Sequence, residues 1–371
     1  SDARTGRDMH VEGVFTNALT ASLRAAKRFR DDHNLSLTLI VPPSVRGTRL
    51  SSAEEAFRLT GDRLYNPAWG FQHGKVRREF VPLAVVSYRV PVSQSTSLAA
   101  DFAAEYGMRK YSALGWYDAR TPMPDNYRYL PGYTGDRETE QAWRAGDARY
   151  TQIDWDEMIA QNRMAAGHAV YALEDRTERL GDLNFSALFT TALDARLTLR
   201  YGLVLRHARS RNYKQMRDLL GAEYITDIDQ YLVDDDTYSN LLQNDLRRPG
   251  RTIRKGGRFG YDYALTTRRA DARLHAEYRS DLFRADLVLS LGAAAVCRRG
   301  YYEKELFPGA QSYGRSRRVR FTPYTLKATA GWAFSPRSYL EASAAAEAVL
   351  PDAADLFYQP QYNNRVIDDP C

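Results

Sequence analysis

Side chains able to hold a ligand are concentrated in a few polar stretches of the chain. Trp69, Phe71, Trp116, Tyr117, Tyr127, Tyr129 and Trp155 cluster there, with Trp143, Tyr65 and Tyr133 close by in sequence. Flat aromatic faces of this density suit stacking against a sugar ring or an aromatic chelator. The same residues also suit an interfacial aromatic girdle and packing of loop on loop, and Trp332 and Phe334, beside a short turn, fit a girdle better still. A second group is acidic: Asp234, Asp235 and Asp236, with Asp227, Asp229 and Asp245 nearby. Carboxylate oxygens could hold a hard cation, although the spacing over 227–245 is not that of an EF-hand loop and a solvated loop tip explains it as well. A third is the basic run Arg315-Ser316-Arg317-Arg318-Val319-Arg320, whose guanidinium forks match phosphate oxygens of membrane lipid. Catalysis has no comparable signature. The six histidines, His10, His33, His73, His168, His207 and His275, lie in no nucleophile motif. Gly-x-Ser-x-Gly, His-Glu-x-x-His and a phosphate-cradling Gly-rich loop with Lys are all missing, so no catalytic residue and no enzyme activity is expected.

The elements that carry these groups follow from composition and period. The 371 residues hold 52 Lys+Arg against 46 Asp+Glu, a net charge of +6, with a mean hydropathy of −0.54. The longest uncharged stretch, His33–Val45, is partly polar, far from the ~18 apolar residues of a spanning helix. Two cysteines, Cys297 and Cys371, build neither a disulfide framework nor a zinc site. Basic charge is dispersed, so nucleic acid is not an expected partner. Strict two-residue alternation is the dominant pattern. Leu197, Leu199, Tyr201, Leu203 and Leu205 alternate with Thr198, Arg200, Gly202, Val204 and Arg206, and similar runs cover Leu98–Met108, Ala270–Tyr278 and Tyr324–Phe334. One face of each strand is therefore apolar and the other polar.

Ten strands are read at about 12–29, 35–43, 79–92, 96–117, 168–191, 195–210, 258–279, 284–301, 319–334 and 339–349. Short turns at Arg30–Asn34, Pro91–Ser95, Ala192–Asp194, Ser280–Phe283 and Ser335–Ser338 alternate with long loops at 44–78, 118–167, 211–257 and 302–318. Short periplasmic turns opposite long extracellular loops are the asymmetry of an antiparallel outer-membrane β-barrel, whose apolar face meets lipid. The fold class expected is all-β: a partial transmembrane barrel of about ten long strands, with Ser1 and 350–371 both on the outer side. A closed ten-stranded barrel is the alternative. Helical composition in Asp156–Ala165 and Tyr213–Leu220 predicts two short loop helices. Arg109, Arg200, Arg206, Arg273 and Lys327, facing the lumen among Asp101, Glu105, Asp271 and Glu277, predict cross-strand ion pairs or contacts with a plug.

The loop motifs add a family likeness. Asn66-Pro67-Ala68-Trp69-Gly70-Phe71-Gln72-His73-Gly74-Lys75, Ser112-Ala113-Leu114-Gly115-Trp116-Tyr117-Asp118 and Asp125-Asn126-Tyr127-Arg128-Tyr129-Leu130-Pro131 resemble TonB-dependent outer-membrane receptors. The resemblance continues through Gln152-Ile153-Asp154-Trp155, Asp218-Leu219-Leu220-Gly221, Gln243-Asn244-Asp245-Leu246, Phe259-Gly260-Tyr261-Asp262-Tyr263 and Tyr302–Gly309. Within that family the motifs are similar to receptors carrying a carboxypeptidase-regulatory-like domain ahead of the plug. The likeness implies a plugged barrel of about 22 strands, to which 1–371 would contribute one stretch of wall, with the plug and TonB box outside it. It implies a location in the Gram-negative outer membrane and active import of a scarce nutrient: a siderophore, vitamin, glycan or peptide. Implied partners are outer-membrane lipid and lipopolysaccharide, the TonB complex through the plug region, the nutrient and a surface lipoprotein; no cofactor is implied. A passive porin, a surface-binding barrel and an outer-membrane hydrolase are the competing readings.

Overall fold

A computed structural model describes residues 1–7, 10–29, 32–68, 75–117, 119–232, 237 and 242–367. One meandering antiparallel sheet forms a curved wall, with each strand beside its sequence neighbours. In chain order the strands are β1 (Asp2–Arg7), β2 (Phe15–Arg28), β3 (Asn34–Val41 continuing as Ser44–Gly47) and β4 (Val76–Phe80 continuing as Leu83–Pro91). Next come β5 (Thr96–Trp116), β6 (Tyr171–Ala192), β7 (Leu197–Asp218), β8 (Arg258–Arg279) and β9 (Phe283–Gly300). The last are β10 (Gly314–Arg315, Val319–Phe321 and Tyr324–Ser335) and β11 (Ser338–Ala348). Among the described residues β1 and β11 do not pair with one another, so the wall is an open part of a barrel.

Two elements differ from the sequence expectation. An eleventh strand, β1, pairs with the start of β2, which sets Asp2 opposite Thr20 inside the wall instead of leaving the first residues beyond its outer end. Tyr213–Leu220 is mostly strand, not helix, because β7 runs on to Asp218 against Leu173–Thr177 of β6 and Arg258–Phe259 of β8. Two flanking ladders outweigh the helix-favouring composition of that stretch. The predicted helix at Asp156–Ala165 does form, at Trp155–Met164.

Prolines divide β3, β4 and β10 without ending them. Pro43, Pro82 and Pro323 cannot donate to a ladder, yet their carbonyls accept from Leu19, Tyr106 and Gly292 at 3.0, 3.4 and 2.8 Å. Glycine faces two of these kinks. A Cβ on Gly107 would lie 2.2 Å from the Phe80 carbonyl oxygen, and one on Gly292 would lie 3.0 Å from Pro323 Cγ and 2.4 Å from Asp271 Oδ1.

The wall presents its apolar side to the surroundings. Phe102, Leu203, Leu205, Leu289, Leu291 and Leu326 are large, apolar and exposed, on the face where Phe102 opposes Phe185 and Leu205 opposes Ala270. The opposite face carries ion pairs across strands: Arg89–Asp101 at 2.9 Å, Arg200–Glu277 at 2.9 Å, Arg206–Asp182 at 2.5 Å and Lys327–Glu347 at 3.3 Å. Arg109 lies 3.6 Å from Glu178, and Asp271 is paired with Arg269 at 2.8 Å. Most of the lumenal charges singled out from the sequence thus pair along the wall.

Buried apolar clusters lie at the loop end, above the wall. Helices α1 (Glu54–Thr60), α2 (Pro131–Thr134), α3 (Arg137–Arg144), α4 (Ala148–Thr151) and α5 (Trp155–Met164) belong to this layer. Leu59, Tyr65, Leu130 and Trp143 form one cluster; Leu114, Trp155, Met158 and Leu173 form another. Asn162 of α5, fully buried, ties the layer to the wall. Its amide donates to the carbonyls of Tyr171, Leu219 and Leu220 at 2.8, 2.9 and 3.1 Å and accepts from the Val170 and Tyr171 amides at 2.8 and 2.9 Å.

Candidate functional site: a basic, tyrosine-lined lumenal cavity

At the loop end of the wall, the lumenal face opens into a cavity of about 530 Å³. Alternation decides which strand residues reach it. Arg109 and Tyr111 on β5, Arg176 and Glu178 on β6, Asn212 and Lys214 on β7 and Tyr263 on β8 share the parity of the lumenal ion pairs. The loops close it with Tyr117, Tyr231, Lys304 and Tyr362. Six basic residues line the cavity against two acidic ones. Immediately behind, the buried Glu174 offsets part of that charge, holding Arg176 Nε and Lys214 Nζ each at 2.8 Å.

Lys304 is the most enclosed of these cations. Its ammonium donates to Asn244 Oδ1 at 2.7 Å and to the Gly260 carbonyl, and lies 5.1 Å from the centre of the Tyr362 ring. Burial lowers its pKa to about 8, with Asp227 opposing the shift. Asp227 organises the same loop: it accepts from Asn244 Nδ2 at 3.0 Å, from the Gly260 amide at 2.8 Å and from Arg251. Asp245 accepts from Arg248 at 3.0 Å and from the Glu303 amide at 3.2 Å. The carboxylates of Asp227 and Asp245 are therefore bound to nitrogen donors and act as loop struts. Asp234, Asp235 and Asp236 lie outside the described residues.

The aromatic residues singled out from sequence do not converge. Trp69 and Phe71 lie outside the described residues. Tyr117 lines the cavity, and its hydroxyl has no hydrogen-bond partner among the described residues; burial drives its pKa well above the ordinary tyrosine value. Trp116 and Trp155 pack into the cluster with Leu114 and Met158. Tyr127 is exposed, edge-on to Tyr133, and Tyr129 lies beneath the Arg120 guanidinium at 3.7 Å. Trp332 is exposed and stacked on Phe283 at the short-turn end, the position of a girdle residue. Sequence reading missed Tyr111, Tyr261, Tyr263 and Tyr362. The first three carry a usable signal, tyrosines on or beside lumenal-parity positions at the loop ends of long strands; Tyr362 carries none.

His275, Glu277 and Asp286, lower on the lumenal face, are close enough together to share a cation. Arg200 fills that space instead, donating to Glu277 at 2.9 Å and contacting His275 Nδ1 at 3.2 Å, while His275 Nε2 meets Asp286 at 3.1 Å.

No protein-family model and no curated protein matches the sequence. Solved structures do match in fold. The chain superposes on the open form of the ferric-catecholate import receptor Fiu of E. coli K12 with a TM-score of 0.52 at 8% identity, covering 92% of this chain and 48% of that one. For the unliganded ferric citrate transporter FecA the values are 0.50 and 7%, covering 91% and 39%. The closed form of Fiu gives 0.50 and 8%, covering 90% and 43%. The fold is that of an outer-membrane receptor barrel, in part: this chain spans less than half the length of each of these structures.

Proposed function

We propose that this chain forms part of the barrel of a TonB-dependent receptor in the outer membrane of a Gram-negative cell, and that the lumenal cavity receives an anionic nutrient on its way inward. One observation carries the reading: six basic side chains against two acidic ones, interleaved with tyrosines, line the lumen at its loop end. Guanidinium and ammonium groups suit carboxylate, phenolate or phosphate oxygens, and tyrosine faces and hydroxyls suit aromatic or sugar moieties. The two similar proteins are named for ferric catecholate and ferric citrate, and an anionic ferric chelate has the charge this cavity complements. The loops at 44–78, 118–167 and 211–257, with Trp69, Phe71, Tyr127 and Tyr129, would form the outer approach to it. TonB would act through a plug contributed by other residues of the receptor, and a surface lipoprotein could cover the loops. The regulatory-like domain rests on the loop motifs alone.

Binding to the full-length receptor tests the proposal. Intrinsic fluorescence quenching should register ferric catecholate or ferric citrate and no uncharged maltodextrin. Tyr111→Ala combined with Lys214→Gln should weaken the chelate at least about tenfold, the effect expected for loss of one charge-assisted contact and one aromatic face. Equal affinity in the double variant, or tighter maltodextrin binding, would sink the reading.

A further inference from the structure

The outward face of the wall changes character abruptly along one set of strands. From Phe283, opposite Trp332, to Ala293, that face is apolar: Tyr278 is followed upward by Ala276, Leu274, Ala272 and Ala270 on β8, with Leu287, Leu289 and Leu291 beside them on β9. Ten residues at about 3.3 Å each, tilted by about 40°, make a band roughly 25 Å tall, the height of a barrel's lipid-facing surface. The next rows in register are basic. Arg268 stands beside His207, Arg209 beside Thr266, and Arg299 beside Arg315.

These arginines differ from those on the lumenal face. Arg200 and Arg206, on β7, each hold a carboxylate, and Arg211, on the outward face one row higher, is taken by Asp262 at 2.7 Å. Arg268, Arg299, Arg315 and Arg318 have no carboxylate partner among the described residues. Arg209 donates to the Tyr301 hydroxyl at 2.6 Å and likewise holds no carboxylate there. All five surround one outward cleft of about 240 Å³. Directly below, Arg318 and Arg268 also border an apolar groove of about 780 Å³ floored by Phe102, Leu183, Phe185 and Leu205.

We propose that this composite surface binds a phosphate-bearing lipid of the outer leaflet, its phosphates in the arginine cleft and an acyl chain in the groove beneath. The inference rests on the membrane location proposed above and assigns a place on the wall to the lipid contact. Guanidinium is the favoured partner because it is weakly hydrated and binds phosphate oxygens in pairs. A cationic cleft alone would suit any anion. Its registry with an apolar groove at the upper edge of the lipid band selects an amphiphile.

The test uses the full-length protein, purified in neutral detergent and inserted into vesicles of phosphatidylcholine alone or doped with diphosphorylated lipid A. Insertion is scored first, by heat-modifiable electrophoretic migration; a protein that does not insert overturns the membrane reading itself. Lipid retained after re-extraction is then counted by native mass spectrometry for wild type, for Arg268→Gln/Arg299→Gln/Arg318→Gln and for the lumenal control Lys327→Gln. Wild type and control should retain lipid A. The triple variant should insert normally and retain at least about tenfold less, since three charge-assisted contacts are removed. Equal retention by the triple variant overturns the site. So does displacement of lipid A by inorganic phosphate at the concentration that releases it from bare arginine-coated beads, which would mark a free-anion cleft.

Discussion

At the scale of single residues, the loop end is organised by buried polar groups whose partners come from distant parts of the chain. Asn162 makes five hydrogen bonds to two chain segments, 170–171 and 219–220, and Asp227 and Lys304 share Asn244 and Gly260 as partners. A buried polar group is tolerated when it is fully bonded and is costly otherwise. Lys304 shows the cost in its pKa, lowered by burial to about 8 from 10.5. A lysine whose folded pKa lies below its unfolded value binds fewer protons folded than unfolded between the two, so stability rises with pH in that window. The urea midpoint of the folded receptor should therefore increase between pH 8 and pH 10, with a slope of at most about 1.4 kcal/mol per pH unit. Lys304→Met should flatten that rise. A midpoint that falls across the window in wild type would contradict the assignment. Above pH 10, buried tyrosines such as Tyr117, whose pKa is raised, act in the opposite direction: the folded state then holds protons the unfolded chain has lost, so stability falls as pH rises until the raised pKa is passed. The rise is therefore attributed to Lys304 only below pH 10.

At the scale of elements, ten of the eleven strands, β2 to β11, were legible in the sequence because the pleat sends successive side chains to opposite faces, whatever the rest of the molecule does; β1 was not. What alternation misses is where a strand kinks or how far it extends. Pro82 divides β4, and Gly107 on β5 lies against the kink, where a Cβ would stand 2.6 Å from Val81 Cα. Gly107→Ala should destabilise the barrel by about 1–3 kcal/mol, the usual penalty for overpacking against backbone. Gly181→Ala is the matched control, since its Cβ would meet only Tyr106 Cδ2, at an ordinary 3.5 Å. Equal unfolding midpoints for the two variants would show that the kink yields. Tyr213–Leu220 illustrates the opposite failure. Lys214, Gln215, Met216, Arg217 and Leu219 have the composition of a helix, yet the stretch up to Asp218 is held as strand by β6 and β8, partners that no local window contains.

At the scale of the whole molecule, the wall inverts the usual partition: apolar side chains face outward and ion pairs face the lumen. This arrangement is stable only if lipid covers the outward face. Leu289→Arg, near the middle of the apolar band, should weaken folding into phosphatidylcholine vesicles by about 2–4 kcal/mol. Ser290→Arg, one residue on and facing the lumen, should cost less than about 1 kcal/mol. Equal costs at the two positions would mean that the outward face is not in lipid. The cavity also belongs to this scale. Tyr111, Lys214, Lys304 and Tyr362 come from separate stretches of chain and meet only because the wall curves and the loops fold back over it.

The amino-acid sequence alone determined the strand periodicity, the alternation of short turns with long loops, the α5 helix and hence an outer-membrane barrel, because each depends on neighbours within a few residues along the chain. Tertiary structure decided which aromatic groups serve packing, as with Trp116 and Trp155, and which face the lumen, as with Tyr111 and Tyr263. It also decided that Asp227 braces a loop, and that arginines from β7, β8, β9 and the start of β10 share one outward cleft. Those outcomes depend on lateral register between strands and on loop closure, which bring together groups whose separation in sequence carries no local trace of their contact.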